Sequence, residues 1–149
     1  MTLTENVSEV SDIDRTPAVV LDSSDPSITA RCGFCQRGFI QPSEHPLEGG
    51  KLYAVHTSRG QVYVHYFCML FCSKANQVGS DSEGLFGFYG SEIVKQLEKK
   101  SKKICKYCEK PGASASCCRK HCQVSTHFTC GVKVGATFQF YGNMWVHCR

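Results

Sequence analysis

The 149-residue chain carries eleven Cys and six His, and most of them fall in close pairs. Cys32-x-x-Cys35 is answered by His65-x-x-Cys68, and Cys105-x-x-Cys108 by His127-x-x-Cys130. Cys117 and Cys122 lie inside the second set, and Cys148 follows it. Thiolate sulfur and imidazole nitrogen suit tetrahedral Zn2+, and a tight turn can aim two closely spaced side chains at one ion. The spacing therefore predicts zinc ligation by Cys32, Cys35, His65 and Cys68, by Cys105, Cys108, His127 and Cys130, and by Cys117, Cys122 and Cys148. Three Cys and one His close a site with protein donors, as structural centres do, whereas catalytic zinc keeps a position open for water. A nucleophilic thiol needs a base beside it, and each His near a Cys is already accounted for as a ligand. The chain alone is thus expected to be no enzyme and to have no small-molecule substrate. Cys118 has no partner at ligand spacing and reads as spare, while Cys72 reads as a buried core thiol. His45, His56 and His121 read as surface residues.

These ligands need short elements to position them. Val62, Val64 and Tyr66 alternate along one strand, and Thr57-Ser58-Arg59-Gly60 supplies a turn from Lys51–His56. This hairpin would carry His65 towards Cys32 and Cys35. A short helix is expected over Phe67–Val78, with Met69, Leu70 and Phe71 inward. Ser91 is expected to cap a helix reaching about Ser101, with Ile93, Val94 and Leu97 as its buried stripe. Lys95, Lys99, Lys102 and Lys103 then lie on its outer face or just past its end. Phe138–Val146 reads as a small hairpin turning at Gly142-Asn143, with Phe138, Phe140 and Trp145 available for a core. The apolar core is thin, and structural zinc can supply roughly 10–16 kcal/mol of folding free energy in such a case.

Charge divides the chain unevenly. Residues 1–30 carry Glu5, Glu9, Asp12, Asp14, Asp22 and Asp25 against Arg15, a net −5, which leaves +9 on residues 31–149. The acidic segment is rich in Ser, Thr and Asp and is expected to be disordered. It shows no basic start with an apolar run, so no secretory leader is expected, and no stretch is long and apolar enough to predict a membrane span. A reducing compartment then favours metal over disulfides as the use of the thiols. The basic body fits nucleic acid or an acidic protein surface, and Lys95, Lys99, Lys102 and Lys103 are the candidate phosphate contacts.

The ligand order is informative: in Cys105, Cys108, Cys117, Cys122, His127, Cys130, Cys148 the His stands fifth. Preceded by a separate Cys-x-x-Cys/His-x-x-Cys set and a helix, this order resembles the extended plant homeodomain (PHD) finger. The likeness runs over residues 31–149 and is closest to the branch containing PHD finger protein seven and the G2/M-phase-specific ubiquitin ligase. Gly84-Leu85-Phe86-Gly87-Phe88-Tyr89, Lys110-Pro111-Gly112-Ala113-Ser114 and Phe138-Gln139-Phe140-Tyr141-Gly142-Asn143 share in it. The resemblance implies a small zinc-dependent α+β fold: a zinc knuckle over residues 31–80, a linking helix over 81–104 and a cross-braced PHD finger over 105–149. It implies that Cys105, Cys108, His127 and Cys130 share one ion, and that Cys117, Cys122 and Cys148 share another. In that family an eighth ligand stands just past the last Cys, beyond Arg149 here, so the finger reads as truncated and two to three ions are expected. His147 is a strained substitute. The resemblance further implies a nuclear location and a chromatin, nucleosome, DNA or protein partner. The alternatives are the substrate-recognition part of a ubiquitin ligase and a purely structural zinc scaffold.

Overall fold

A computed structural model describes residues 10–21, 29–38, 51–119, 121–139 and 146–147. The elements in chain order are helix α1 (Asp12–Arg15), strands β1 (Val19–Val20), β2 (Leu52–Thr57) and β3 (Gly60–His65), and helices α2 (Tyr66–Leu70) and α3 (Gly90–Lys100). Strands β4 (Ala115–Ser116) and β5 (Ser125–Thr126), helix α4 (Phe128–Val134), and strands β6 (Thr137–Phe138) and β7 (Val146–His147) complete the set. This is the small α+β architecture that the sequence led us to expect.

The hairpin forms as read. Strands β2 and β3 pair antiparallel from Leu52↔His65 to Thr57↔Gly60. The turn closes because Gly60 takes φ +107°, open to glycine without penalty, and the Thr57 hydroxyl donates to the Gly60 carbonyl. Strands β6 and β7 also pair, Phe138 opposite Val146, and Phe138 packs edge-on to Phe71 at 5.1 Å. Phe140, Trp145 and the expected turn at Gly142-Asn143 lie outside the described residues.

Three local expectations are corrected. Helix α2 ends at Leu70 instead of near Val78, because the chain turns away to pair the Ser73 amide with the Ser114 carbonyl and Lys74 takes φ 63°. Helix α3 starts two residues earlier than expected: Tyr89, not Ser91, is the N-cap, and no side chain caps it. Gly90 suits that start, since a Cβ there would meet the His56 carbonyl at 2.7 Å and an Asp14 carboxylate oxygen at 2.9 Å.

The third correction concerns the acidic segment. Residues 1–9 and 22–28 lie outside the described residues, but residues 10–21 are folded onto the body. Val19 and Val20 pair with Ala54 and Tyr53, adding β1 to the edge of β2. Asp14 is buried and accepts a hydrogen bond from the Ser58 amide at 3.1 Å. Its carboxylate sits against the first residue of α3, where a negative charge complements the helix dipole. The Arg15 guanidinium pairs with Glu83 at 3.5 Å and lies over the Tyr89 ring at 5.4 Å. Composition suggests disorder, but these long-range pairings offset the ordering entropy.

One core joins both halves. Phe67 from α2 and Phe71 just past its end meet Phe128 from α4, with the Phe71 and Phe128 rings stacked at 5.4 Å. Helix α3 packs Ile93 inward and rests Leu97 against Gly33, where a Cβ would approach Leu97 within 2.7 Å. The same helix buries Gln96, which bonds Glu92, and Lys100, which donates to the Ser73 hydroxyl at 2.8 Å. From Ser73 a run of hydroxyls continues through Ser116 to Ser125, tying the helix to the β4–β5 pair.

Candidate metal centres

Two four-residue clusters stand out among the described residues: Cys32, Cys35, His65 and Cys68, and Cys105, Cys108, His127 and Cys130. Within each cluster the ligand atoms all lie within 4.8 Å of one another. Zn–S near 2.3 Å and Zn–N near 2.0 Å put the donors of one tetrahedral ion about 3.5–3.8 Å apart. The sulfur-to-Nδ1 distances agree: 3.2 Å from Cys35 and 3.9 Å from Cys68 to His65, and 3.2 Å from Cys108 and 3.7 Å from Cys130 to His127.

The two centres are built the same way. In each, the first Cys amide bonds the carbonyl of the residue five positions on, Cys32 to Arg37 at 2.8 Å and Cys105 to Lys110 at 3.0 Å. The residue after the second Cys takes a left-handed backbone, Gln36 at φ 63° and Glu109 at φ 62°. The residue after the first Cys bonds the strand leading to the His, Gly33 to Tyr63 and Lys106 to Ser125. Each His then stands as the N-cap of a short helix, α2 or α4, whose first turn presents the last Cys. Both imidazoles donate through Nε2 to a knuckle carbonyl, His65 to Gly38 at 2.7 Å and His127 to Pro111 at 2.9 Å. That bond fixes the tautomer and turns Nδ1 to the metal position.

The electrostatics suit a cation. Burial opposes ionisation of Cys32, but hydrogen bonds with Cys35, Cys68 and His65 outweigh it and hold its thiol well below the ordinary value. Burial likewise opposes ionisation of Cys105, and backbone bonds around Cys108 and His127 with the Thr126 hydroxyl bring it down to about 6. The last thiol of each centre moves the other way. Hydrogen bonding to Cys32 and Cys35, then burial, pushes Cys68 well up. Burial and the Cys105 charge push Cys130 up to about 12. A cluster that crowds thiolates until one must keep a proton is a site short of positive charge, and a divalent ion supplies it. The donor set, the spacing and the carbonyl-held imidazoles all fit Zn2+, with one ion in each of the two clusters among the described residues.

The third predicted set is only partly on view. Cys117 is buried and Cys122 half-buried, while Cys148 lies outside the described residues. Strand β7 runs beside them, since the Cys118 amide bonds the Val146 carbonyl at 2.8 Å. Cys118, read as spare, has its sulfur 3.6 Å from Nδ1 of His147. Cys72 is the core thiol expected: burial pushes it up to about 12, and its sulfur lies 3.6 Å from the Gln96 side-chain Oε1. Lys95 and Lys99 on α3 and Lys102 and Lys103 just past its end are all exposed. The sequence reading missed three basic residues, Arg37, Lys110 and Lys133, that line the space between the centres. A signal was present: each Cys-x-x-Cys is followed two residues on by a cation, Arg37 in one copy and Lys110 in the other.

The pattern of PHD-like zinc-binding domains matches residues 65–149. The chain is also 34% identical over 117 residues to the G2/M phase-specific E3 ubiquitin-protein ligases of Macaca fascicularis and Homo sapiens, covering 78% of this chain and 16% of each relative. It is 39% identical over 85 residues to the Pineapple eye protein of Drosophila melanogaster, covering 57% of this chain and 14% of that protein. The chain thus spans about one sixth of these relatives' length.

Proposed function

The chain belongs to the family of PHD-like zinc-binding domains, and on that premise we propose that it is a nuclear docking module that holds a chromatin surface through its basic helix. The observation that carries this reading is the exposure of Lys95 and Lys99 along α3 and of Lys102 and Lys103 just past its end. Four exposed cations along and just past one helix suit the phosphates of nucleosomal DNA. The metal centres, each filled by four protein donors, serve to hold that helix in place. The test is a binding screen of the zinc-loaded chain against duplex DNA, nucleosomes and histone peptides over a range of salt. Binding should weaken with salt by about 0.9 log units per log unit for each phosphate neutralised. Replacing all four lysines by Glu should weaken binding and flatten that slope at unchanged zinc content. Wild-type binding by the four-lysine variant would overturn the reading.

The relatives' names favour a second reading, in which the domain selects the substrate of a ubiquitin ligase and the transfer chemistry resides elsewhere in such a protein. Under either reading this chain, purified and mixed with conjugating enzyme, should build no ubiquitin chains. Chain formation lost on His127→Ala would refute both. A domain that holds zinc but captures none of these probes would leave the structural scaffold as the remaining account.

A further inference from the structure

A cleft of about 650 Å3 opens between the two zinc knuckles. Its size is that of a pocket for a side chain or short peptide segment, within the usual range of about 300–1,000 Å3. Arg37 comes from the first knuckle, Lys110 from the equivalent position of the second, and Lys133 from α4. The metal ligands Cys35, Cys108 and Cys130 form part of the same wall.

We infer that this cleft binds an acidic polypeptide segment, taking a Glu or Asp carboxylate between Arg37, Lys110 and Lys133. The inference rests on the reading of the chain as a docking module and names a second surface of it, distinct from the four exposed lysines. Two features favour a peptide over a nucleic acid strand. With zinc bound, each centre of three thiolates and one imidazole carries one net negative charge, so three cations leave the cleft only slightly positive. A phosphodiester chain needs a row of cations along its length, whereas a single carboxylate is balanced by this set. Zinc-bound thiolates also accept hydrogen bonds, and a peptide backbone brings N–H donors that a phosphodiester backbone lacks. The knuckle backbones that carry Arg37 and Lys110 are fixed by the bonds to Cys32 and Cys105, so both side chains start from a set backbone at the mouth of the cleft.

The test uses the full zinc-loaded chain and fluorescence anisotropy with three labelled probes: a Glu-Ala repeat peptide, its Gln-Ala counterpart and a short DNA duplex. The Glu peptide should bind about tenfold more tightly than the Gln peptide. Arg37→Ala combined with Lys110→Ala should weaken Glu-peptide binding about tenfold with both zinc ions retained. Should that variant lose zinc, Lys133→Ala decides, because it lies outside both knuckle loops and should still weaken binding severalfold. Equal binding of the two peptides, or unchanged binding by a zinc-replete variant, overturns the inference. A duplex whose binding depends on Arg37 and Lys110, with no peptide bound, makes the cleft a phosphate site instead and also overturns it. The four-lysine Glu variant separates this result from the chromatin reading, since it should lose nucleosomes and keep the Glu peptide.

Discussion

Single residues of this protein are constrained most where backbone meets backbone. Gly112 takes φ +97°, and a Cβ there would sit 2.2 Å from the Phe34 carbonyl oxygen of the other knuckle. Gly112→Ala should therefore cost about 3 kcal/mol or more, read as a drop in the thermal midpoint of the zinc-loaded chain. The thiols allow a prediction about protons. Without metal, Cys68 and Cys130 hold protons because their thiol values are raised, so zinc entry must expel them. Proton release on zinc binding should be measurable in weak buffer, and zinc affinity should fall as the pH drops below neutral. A chain that takes up zinc without releasing protons would contradict the thiol assignment. The ligands were legible in the sequence because a tight turn needs them at fixed spacing. Gly112, though quoted within Lys110-Pro111-Gly112-Ala113-Ser114, was not legible as a contact, because the Phe34 carbonyl it avoids lies far away along the chain.

At the level of elements, the β2–β3 hairpin could be read from Val62, Val64 and a Gly-ended turn, all of which are local signals. The packing of residues 10–21 could not, because Val19 and Val20 find their partners more than thirty residues away in β2. Periodicity also overran the end of α2, where a tertiary bond from Ser73 to Ser114 wins over helix continuation. Asp14 is the residue on which the docked segment turns. Asp14→Ala removes the acceptor of the Ser58 amide and the negative charge at the start of α3, and should lower stability by about 1–2 kcal/mol while leaving zinc content unchanged. Removing residues 10–21 should bare the edge of β2 and promote self-association, detectable by light scattering. An unchanged thermal midpoint for Asp14→Ala would show that the segment rests on the body without stabilising it.

At the level of the whole molecule, the two zinc-bearing halves are one unit. Gly112 abuts Phe34, the Ser114 hydroxyl donates to the Cys68 carbonyl at 2.9 Å, and Phe71 stacks on Phe128. Sequence spacing alone suggests that each module would fail separately on losing its own ligands. The shared core leads to a different expectation: Cys68→Ser and Cys105→Ser should each broaden or abolish a single transition that spans both halves. Two separate melting steps in either variant would show that the interface is weak.

The equivalence of the two knuckles also has an optical consequence. Cobalt(II) placed in either cluster would meet the same three sulfurs and one nitrogen, with the same imidazole-to-carbonyl bond behind them. Its visible ligand-field bands would nearly coincide, so a titration would show one chromophore growing to double strength rather than two resolvable colours. The Thr126 hydroxyl, 3.6 Å from the Cys105 sulfur, is the feature that should tint the second centre.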